Sequence, residues 1–473
     1  MLCDFYLQVK MISQKSGTEL FESKPVLLSV IQLAVPSVVV QIVLVIYNLA
    51  DTFFVGMTES ASMLAAVTVS MPAFMLLSAI SNFFGIGASG VMSRAMGKNE
   101  TGKAKDASRF AFWGCVGIGA VYSLSTFFGA GLFADLLGAR AAEVHGFTKE
   151  YLRIAVAFGG VPTALCAMFA HIVRSEGRSV HASAGLIIGG VFNIVLDPIF
   201  MFVILPKGME VTGAALATAL SNITALAYYA VVIFIMRKRG ETNISCRPKA
   251  SMFEKTLVSD IVKTGTPAFV MTVFENVSYA VLENLVALVD VSAQAGLGVA
   301  KKINMLAHST VRGMAQGVLP LIGYNYSNGN RKRMKKIVYT TASISIGFCI
   351  VCALSFFIFG AQICGLFIKS DGKEIEYAAV FLKILCIGAP FSAFAYTVIS
   401  FFQATGKGTR SFALAILRKG LLDIPLMLVF NSVTGVFGAV AATPVTDAVC
   451  CAVSAIMFGI WIKGHGKNKK LVP

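Results

Sequence analysis

Acidic side chains set in long apolar stretches are the first candidates for chemistry in this 473-residue chain. Asp51 closes one such stretch in "YNLADTFFVG" (47–56), and Asp197 lies within another in "NIVLDPIF" (193–200). A carboxylate at mid-membrane depth costs about 2.5–3.5 kcal/mol on insertion scales, so it usually faces a partner or a wet cavity. Asn193 and Asp197 stand four residues apart and share one helix face. Asp51 precedes the loop residue Glu59, and Asp197 precedes Lys207 in another loop on the same side, by similar spacings. The two acids therefore lie at similar depth. If their helices adjoin, both carboxylates share a pocket and titrate as a coupled unit. Such a pocket can take up a proton, or bind Na⁺ with further oxygens from Asn193 and Thr218. The plainer alternative is that Asp51 ends a helix at the interface and Asp197 accepts a hydrogen bond between helices.

The second half of the chain carries its own charges within apolar runs. Glu275 and Glu283 fall on broadly the same helix face, about 12 Å apart at 1.5 Å per residue. Lys301, Lys302 and Arg312 can balance them, and Asp423 sits beside Arg418 and Lys419, either of which can pair with it. Tyr47, Glu275, Tyr279, Glu283, Arg312 and Asp423 are the candidates for cavity wall or second-half charge, since aromatic faces attract cations. Pro36, Pro198 and Pro267 each remove a backbone donor inside an apolar run and are expected to kink it.

Several enzyme chemistries find no support. His145, His171, His181, His308 and His465 are scattered, no CxxC or Cys/His cluster occurs, and no Walker A sequence is present. "GIGASG" (85–90) fits GxGxxG by letters but lacks the strand that a dinucleotide site needs. Its small residues read instead as a place where helices approach closely. The expectation is a protein that is not an enzyme, with no cofactor and no metal beyond a coupling Na⁺.

These residues must be held by helices that cross a lipid bilayer. The chain is 56% hydrophobic and 14% charged, with mean hydropathy +0.76. A soluble domain carries about 25% charged residues. Apolar runs of about 20 residues, enough to cross the hydrocarbon layer, recur throughout, and strand-like alternation is absent. Unpaired backbone groups are not tolerated in lipid, so the spans are helices. Twelve are expected, at 27–52, 62–92, 110–134, 152–173, 180–204, 213–236, 258–289, 292–322, 337–361, 378–403, 410–430 and 436–462. Basic residues on one set of loops and tails outnumber those on the other by about four to one, which puts both termini in the cytoplasm. The same bias explains the net charge of +16 without nucleic acid. "RKRMKK" (331–336) reads as an anchor for anionic lipid headgroups.

The two halves echo each other. "LDPIFMFVIL" (196–205) answers "LDIPLMLVF" (422–430), "VTGAALAT" (211–218) answers "VFGAVAAT" (436–443), and Pro36 answers Pro267. Six helices per half makes them parallel repeats about an axis along the membrane normal. The expected organisation is an all-α, polytopic membrane protein of two pseudo-symmetric six-helix bundles. It comprises a cytoplasmic tail (1–26), a first lobe (27–236), a linker (237–257), a second lobe (258–462) and a closing tail (463–473).

In combination, Pro36–Gly56, "GIGASGVMSRAMGKNE" (85–100), "RSEGR" (174–178), "NIVLDPIF", "GTPAFVMTVFE" (265–275), "GVAKKIN" (298–304) and "QGVLPLIGYNYSNGNRKR" (316–333) resemble the multidrug and toxic compound extrusion (MATE) family. The resemblance covers about 30–465. It implies a cation-coupled exporter of amphipathic, often cationic, compounds, working as a monomer in the cell membrane by alternating access of two lobes. Asp51, Asn193 and Asp197 would form the first-lobe cation site, for H⁺ or Na⁺, and Glu275 would be the acid of the seventh span. Some members carry an acid in the tenth span; "LCIGAPFSAFAY" (385–396) has none, which favours the first lobe. A flippase for a lipid-linked precursor is the alternative.

Overall fold

The protein is described by a computed structural model covering residues 19–366 and 372–467. The tail up to residue 18, Lys369, Lys469 and Lys470 lie outside the described residues. Among the described residues every regular element is a helix. The first three spans are Val26–Gly56, Ala61–Gly97 and Thr101–Phe128. The fourth joins Ala142–Tyr151, a wide π turn at Leu152–Phe158, and Gly160–Ser175. The fifth is Ser179–Ile204 and the sixth Glu210–Lys238. Then follow Lys255–Ala287, Val291–Ser327 and Arg331–Gly365. The tenth pairs Lys373–Cys386 with Ala389–Ala404. The eleventh runs Gly408–Ile416, Leu417–Asp423 and Ile424–Thr434, and the twelfth is Val436–Lys467.

Eight of these helices are long and apolar enough to cross a membrane alone, or up to ten if each bent pair counts as one. The eighth and eleventh fall short because they carry Lys301, Lys302, Arg312, Arg418, Lys419 and Asp423. Several boundaries differ from expectation: the fourth span begins at Ala142 rather than 152, the third at Thr101 rather than 110, and the ninth at Arg331 rather than 337. The third span was expected to reach residue 134, but its helix stops at Gly129, and Ala130–Leu137 forms a separate short helix.

The sharp bends do not fall at Pro36, Pro198 or Pro267 but just before two other prolines, Pro162 and Pro390. In a continuous helix each would clash with the carbonyl four residues back. The fourth span bends by 49° at Gly159 and the tenth by 44° at Ile387–Gly388, equivalent spans of the two halves. Helices run unbroken through Pro36 and Pro267. Neighbouring helices and hydroxyl side chains can hold a proline-containing span together. Around Pro36, the eighth span packs closely on Ala34 and Val38, and the Ser37 and Ser179 hydroxyls donate to the Leu33 carbonyl. Pro198 does disturb its helix, which widens into a π turn at Phe200–Ile204. The eleventh span has a matching wide turn at Leu417–Asp423.

The halves meet on the side that bears the chain ends. Gly87 of the second span lies against the Ile261 carbonyl, and Gly265 of the seventh against the Phe83 carbonyl. Gly313 and Gly317 of the eighth face Val38 and Ala34. A methyl added at Gly87 or Gly313 would come within 2.8 Å of the facing backbone, so only glycine permits this approach. The small residues of "GIGASG" thus serve helix packing. Arg94 donates to the Gln403 and Ala404 carbonyls, at 3.2 and 3.0 Å, beside the same seam.

The segment between the sixth and seventh spans is strapped to the first bundle. Arg178 pairs with Glu241 at 2.9 Å, and the Trp113 indole donates to the Cys246 carbonyl at 3.0 Å. The Thr242 hydroxyl and the Asn243 N–H donate to the Glu176 carboxylate at 2.6 and 2.5 Å. Burial pushes the Glu176 carboxyl up to about 7, with those bonds pulling the other way. A raised folded-state value favours the protonated form. Its contribution is therefore full below the unperturbed value of 4.5 and is lost as pH rises through about 7. Hydrogen exchange of segment 241–246, corrected for intrinsic rates, should quicken across that window, and Glu176→Gln should flatten the response. Equal pH dependence in both proteins would refute this account of the strap.

Candidate functional site

Asp51 enters the first bundle from the last turns of its helix, and Asp197 from just before the π turn of the fifth span. Both are buried, at 4% and 0% exposure. Their spacing along the sequence placed them at one depth, and the structure brings them within electrostatic reach of each other. Asn193 lies one turn before Asp197, and its amide donates to the Asp197 carboxylate at 3.2 Å. The same amide lies 3.4 Å from the Thr218 hydroxyl of the sixth span. Three oxygens of this cluster, Asp51 Oδ1, Asp197 Oδ2 and Asn193 Oδ1, are buried without a hydrogen-bond partner. Desolvated acceptors without donors are costly, and no Lys or Arg pairs with either acid among the described residues. Oxygens in that condition suit a proton or a small cation.

Tyr47 and Tyr151 stand within reach of both carboxylates. Tyr47 also lines a cavity of about 480 Å³ between the two bundles, whereas neither Asp51 nor Asp197 does. The acid chamber therefore lies behind the cavity wall, with Tyr47 between. Tyr151 was missed by sequence reasoning because it was assigned to the loop before the fourth span.

The second bundle treats its acids differently. Glu275 pairs with Arg312 at 3.3 Å and Glu283 with Lys301 at 2.7 Å, and all four line the cavity. The Lys301 ammonium also stands 4.4 Å from the Tyr279 ring. Asp423 does not line the cavity; it is buried behind Lys419, which it binds at 2.6 Å, and accepts from the Ser278 hydroxyl at 2.6 Å. Arg418 pairs at 2.7 Å with Asp447, a residue of the twelfth span that sequence reasoning did not single out. Here each acid finds a cation.

Comparison with known proteins follows this geometry. The MatE family model matches residues 36–199 and again 267–429, one match per half. The multidrug export protein MepA of Staphylococcus aureus is 28% identical over 439 residues, covering 92% of this chain and 94% of that protein. The MepA of Staphylococcus saprophyticus is 30% identical over 441 residues, with the same coverage. Among solved structures, an outward-facing multidrug-resistance MATE transporter superposes with a TM-score of 0.87 at 22% identity, covering 96% of this chain and 99% of that one. The Vibrio cholerae MATE transporter VcmN, solved as a mutant, gives 0.84 at 19%, covering 95% and 99%. Twice-matched halves and near-complete coverage by the relatives leave one assignment: the chain belongs to the multidrug and toxic compound extrusion family, a family of membrane transporters rather than enzymes.

Proposed function

We propose that this transporter exports small amphipathic organic compounds, and that H⁺ or Na⁺ entering the Asp51–Asn193–Asp197 chamber drives the export. One contrast carries the reading: among the described residues Asp51 and Asp197 have no Lys or Arg partner, while Glu275, Glu283, Asp423 and Asp447 each have one, although Asp423 and Asp447 also keep one buried oxygen without a hydrogen bond. The multidrug export activity named for the staphylococcal relatives supports it. So does a cavity volume in the range of small-molecule sites, roughly 300–1,000 Å³.

Closure on the side of the chain ends corresponds to an outward-facing state if those ends are cytoplasmic. The bound cation must then favour one orientation over the other, since equal affinity for both shifts nothing. Tyr47 lines the cavity and stands within electrostatic reach of both acids, so it is a side chain through which ion and substrate can sense each other.

The basic lining of the cavity is the one observation on the side of a flippase for a lipid-linked precursor, but its volume is small for a lipid-linked sugar. Proteoliposomes loaded with ethidium, with a pH gradient and a Na⁺ gradient imposed separately, test the proposal. Efflux driven by at least one gradient is expected. Efflux indifferent to both, or movement of a lipid-linked sugar alone, would overturn it.

A further inference from the structure

Leu20 and Phe21 stand just ahead of the first span, and both are buried, at 2% and 4% exposure. The first span belongs to the first bundle, yet this segment is tied to the second. The Phe21 ring stacks on Tyr324 of the eighth span, with centroids 4.9 Å apart. The Phe21 carbonyl accepts from the Asn325 amide at 3.0 Å and from Arg333 Nε, on the ninth span, at 2.8 Å. Arg333 Nη2 also donates to the Leu20 carbonyl and the Ser29 hydroxyl, at 3.3 and 3.1 Å. Glu22 accepts from the Tyr324 hydroxyl at 2.7 Å and from the Asn328 amide at 3.3 Å.

The other side of Phe21 meets the first bundle. Gly177, in the turn between the fourth and fifth spans, lies so close that a methyl there would come within 3.1 Å of the Phe21 ring. The neighbours of Gly177, Glu176 and Arg178, hold residues 241–243 of the linker. Phe21 therefore fills the gap between the two bundles at the end where they close, beside the contacts of Gly313 and Gly317 with the first span. Opening at this end draws Gly177 away from Tyr324 and Arg333, and Phe21 can follow only one of them. Arg333 belongs to the basic run 331–336, but it turns inward onto this segment, whereas Lys332 and Lys336 are exposed.

We propose that residues 19–24 form a clasp that holds the transporter closed on the side of the chain ends, and that opening there requires its release from the eighth and ninth spans. Contacts made in one of two states, and lost in the other, shift the balance by their own free energy. The guanidinium bonds to two carbonyls are charge-assisted and hence among the stronger ones available. This inference rests on the export reading for its purpose, but the balance that tests it is read without transport.

Hydrogen exchange of the purified full-length protein in detergent, followed by mass spectrometry, reports that balance, because it tracks the population of opened forms. Two segments on the closed seam, 83–94 and 261–268, are compared with two at the opposite end, 48–57 and 283–290. Arg333→Gln should quicken exchange on the seam about tenfold, the scale of the charge-assisted bonds lost, and slow it at the opposite end. Phe21→Ala should act in the same direction. Lys332→Gln removes a neighbouring charge from an exposed side chain and should change neither end.

Faster exchange at both ends overturns the proposal, because it reports lost stability and not a shifted balance. Unchanged exchange in Arg333→Gln and Phe21→Ala overturns it too, as does an equal response to Lys332→Gln. If those two variants do not fold, Tyr324→Phe, which keeps the ring stack and removes the bond to Glu22, decides by the same opposed signature. Opposed shifts in a protein that shows no gradient-driven efflux in proteoliposomes would uphold the clasp and defeat the export reading instead.

Discussion

Asp197→Asn should abolish gradient-driven efflux of a fluorescent cation from cells, a loss on the order of a hundredfold, at the upper end of coupling between two sites. The substitution is isosteric, and its amide oxygen can still accept from Asn193, which now donates to Asp197 at 3.2 Å. Folding is therefore expected to survive, as an unchanged thermal transition in detergent would show. What the variant loses is the charge that a proton or cation must meet. Asp51 remains, buried beside it with one oxygen unpartnered, but a single carboxylate no longer makes a coupled pair. Efflux that persists at the original rate would remove Asp197 from the mechanism. The central cavity would keep its shape in either case, because Asp197 does not line it.

The second large effect concerns stability. Arg418 and Asp447 are each 1% exposed and bind at 2.7 Å, with the Arg418 guanidinium also lying 4.4 Å from the Tyr396 ring. Removing one partner of a buried pair strands the other charge, at a cost of about 3–5 kcal/mol. Asp447→Leu alone should accordingly lower the thermal midpoint strongly. Replacing both partners by apolar residues is often neutral or stabilising, so Arg418→Met combined with Asp447→Leu should recover most of the loss. The pair is also imperfect: Arg418 Nη1 and Asp447 Oδ2 are buried without further partners. A double variant as unstable as the single one would show that the pair contributes through geometry rather than through charge compensation.

The chamber was legible in the sequence because two simple rules place it. The four-residue spacing sets Asn193 and Asp197 on one face, and counting to the nearest loop residue sets Asp51 and Asp197 at one depth. Neither rule could reach Asp447, whose partner lies 29 residues away on another helix and whose flanking residues give no hint of it. Arg174 falls one residue beyond the expected fourth span (152–173), whereas the last turn of the observed helix carries it into the cavity wall. Proline was the visible cue for bending, and the sharp turns at Gly159 and Ile387–Gly388 lie just before Pro162 and Pro390, whereas the helices run unbroken through Pro36 and Pro267, the prolines expected to kink. Local pattern foretold which helices exist and which faces they show. Pairing between distant helices was beyond it.

The glycine contacts joining the bundles bear on how little energy the motion between states demands. Backbone lying against backbone is held by many weak dispersion contacts, and the charged contacts beside it include Arg94 on two carbonyls of the tenth span and the solvent-facing Lys103–Asp260 pair. One monovalent cation falling through 100 mV delivers about 2.3 kcal/mol. A closure built from four or five buried salt bridges would outmatch so small a drive, whereas glycine set against backbone adds no further buried charge for the motion to expose.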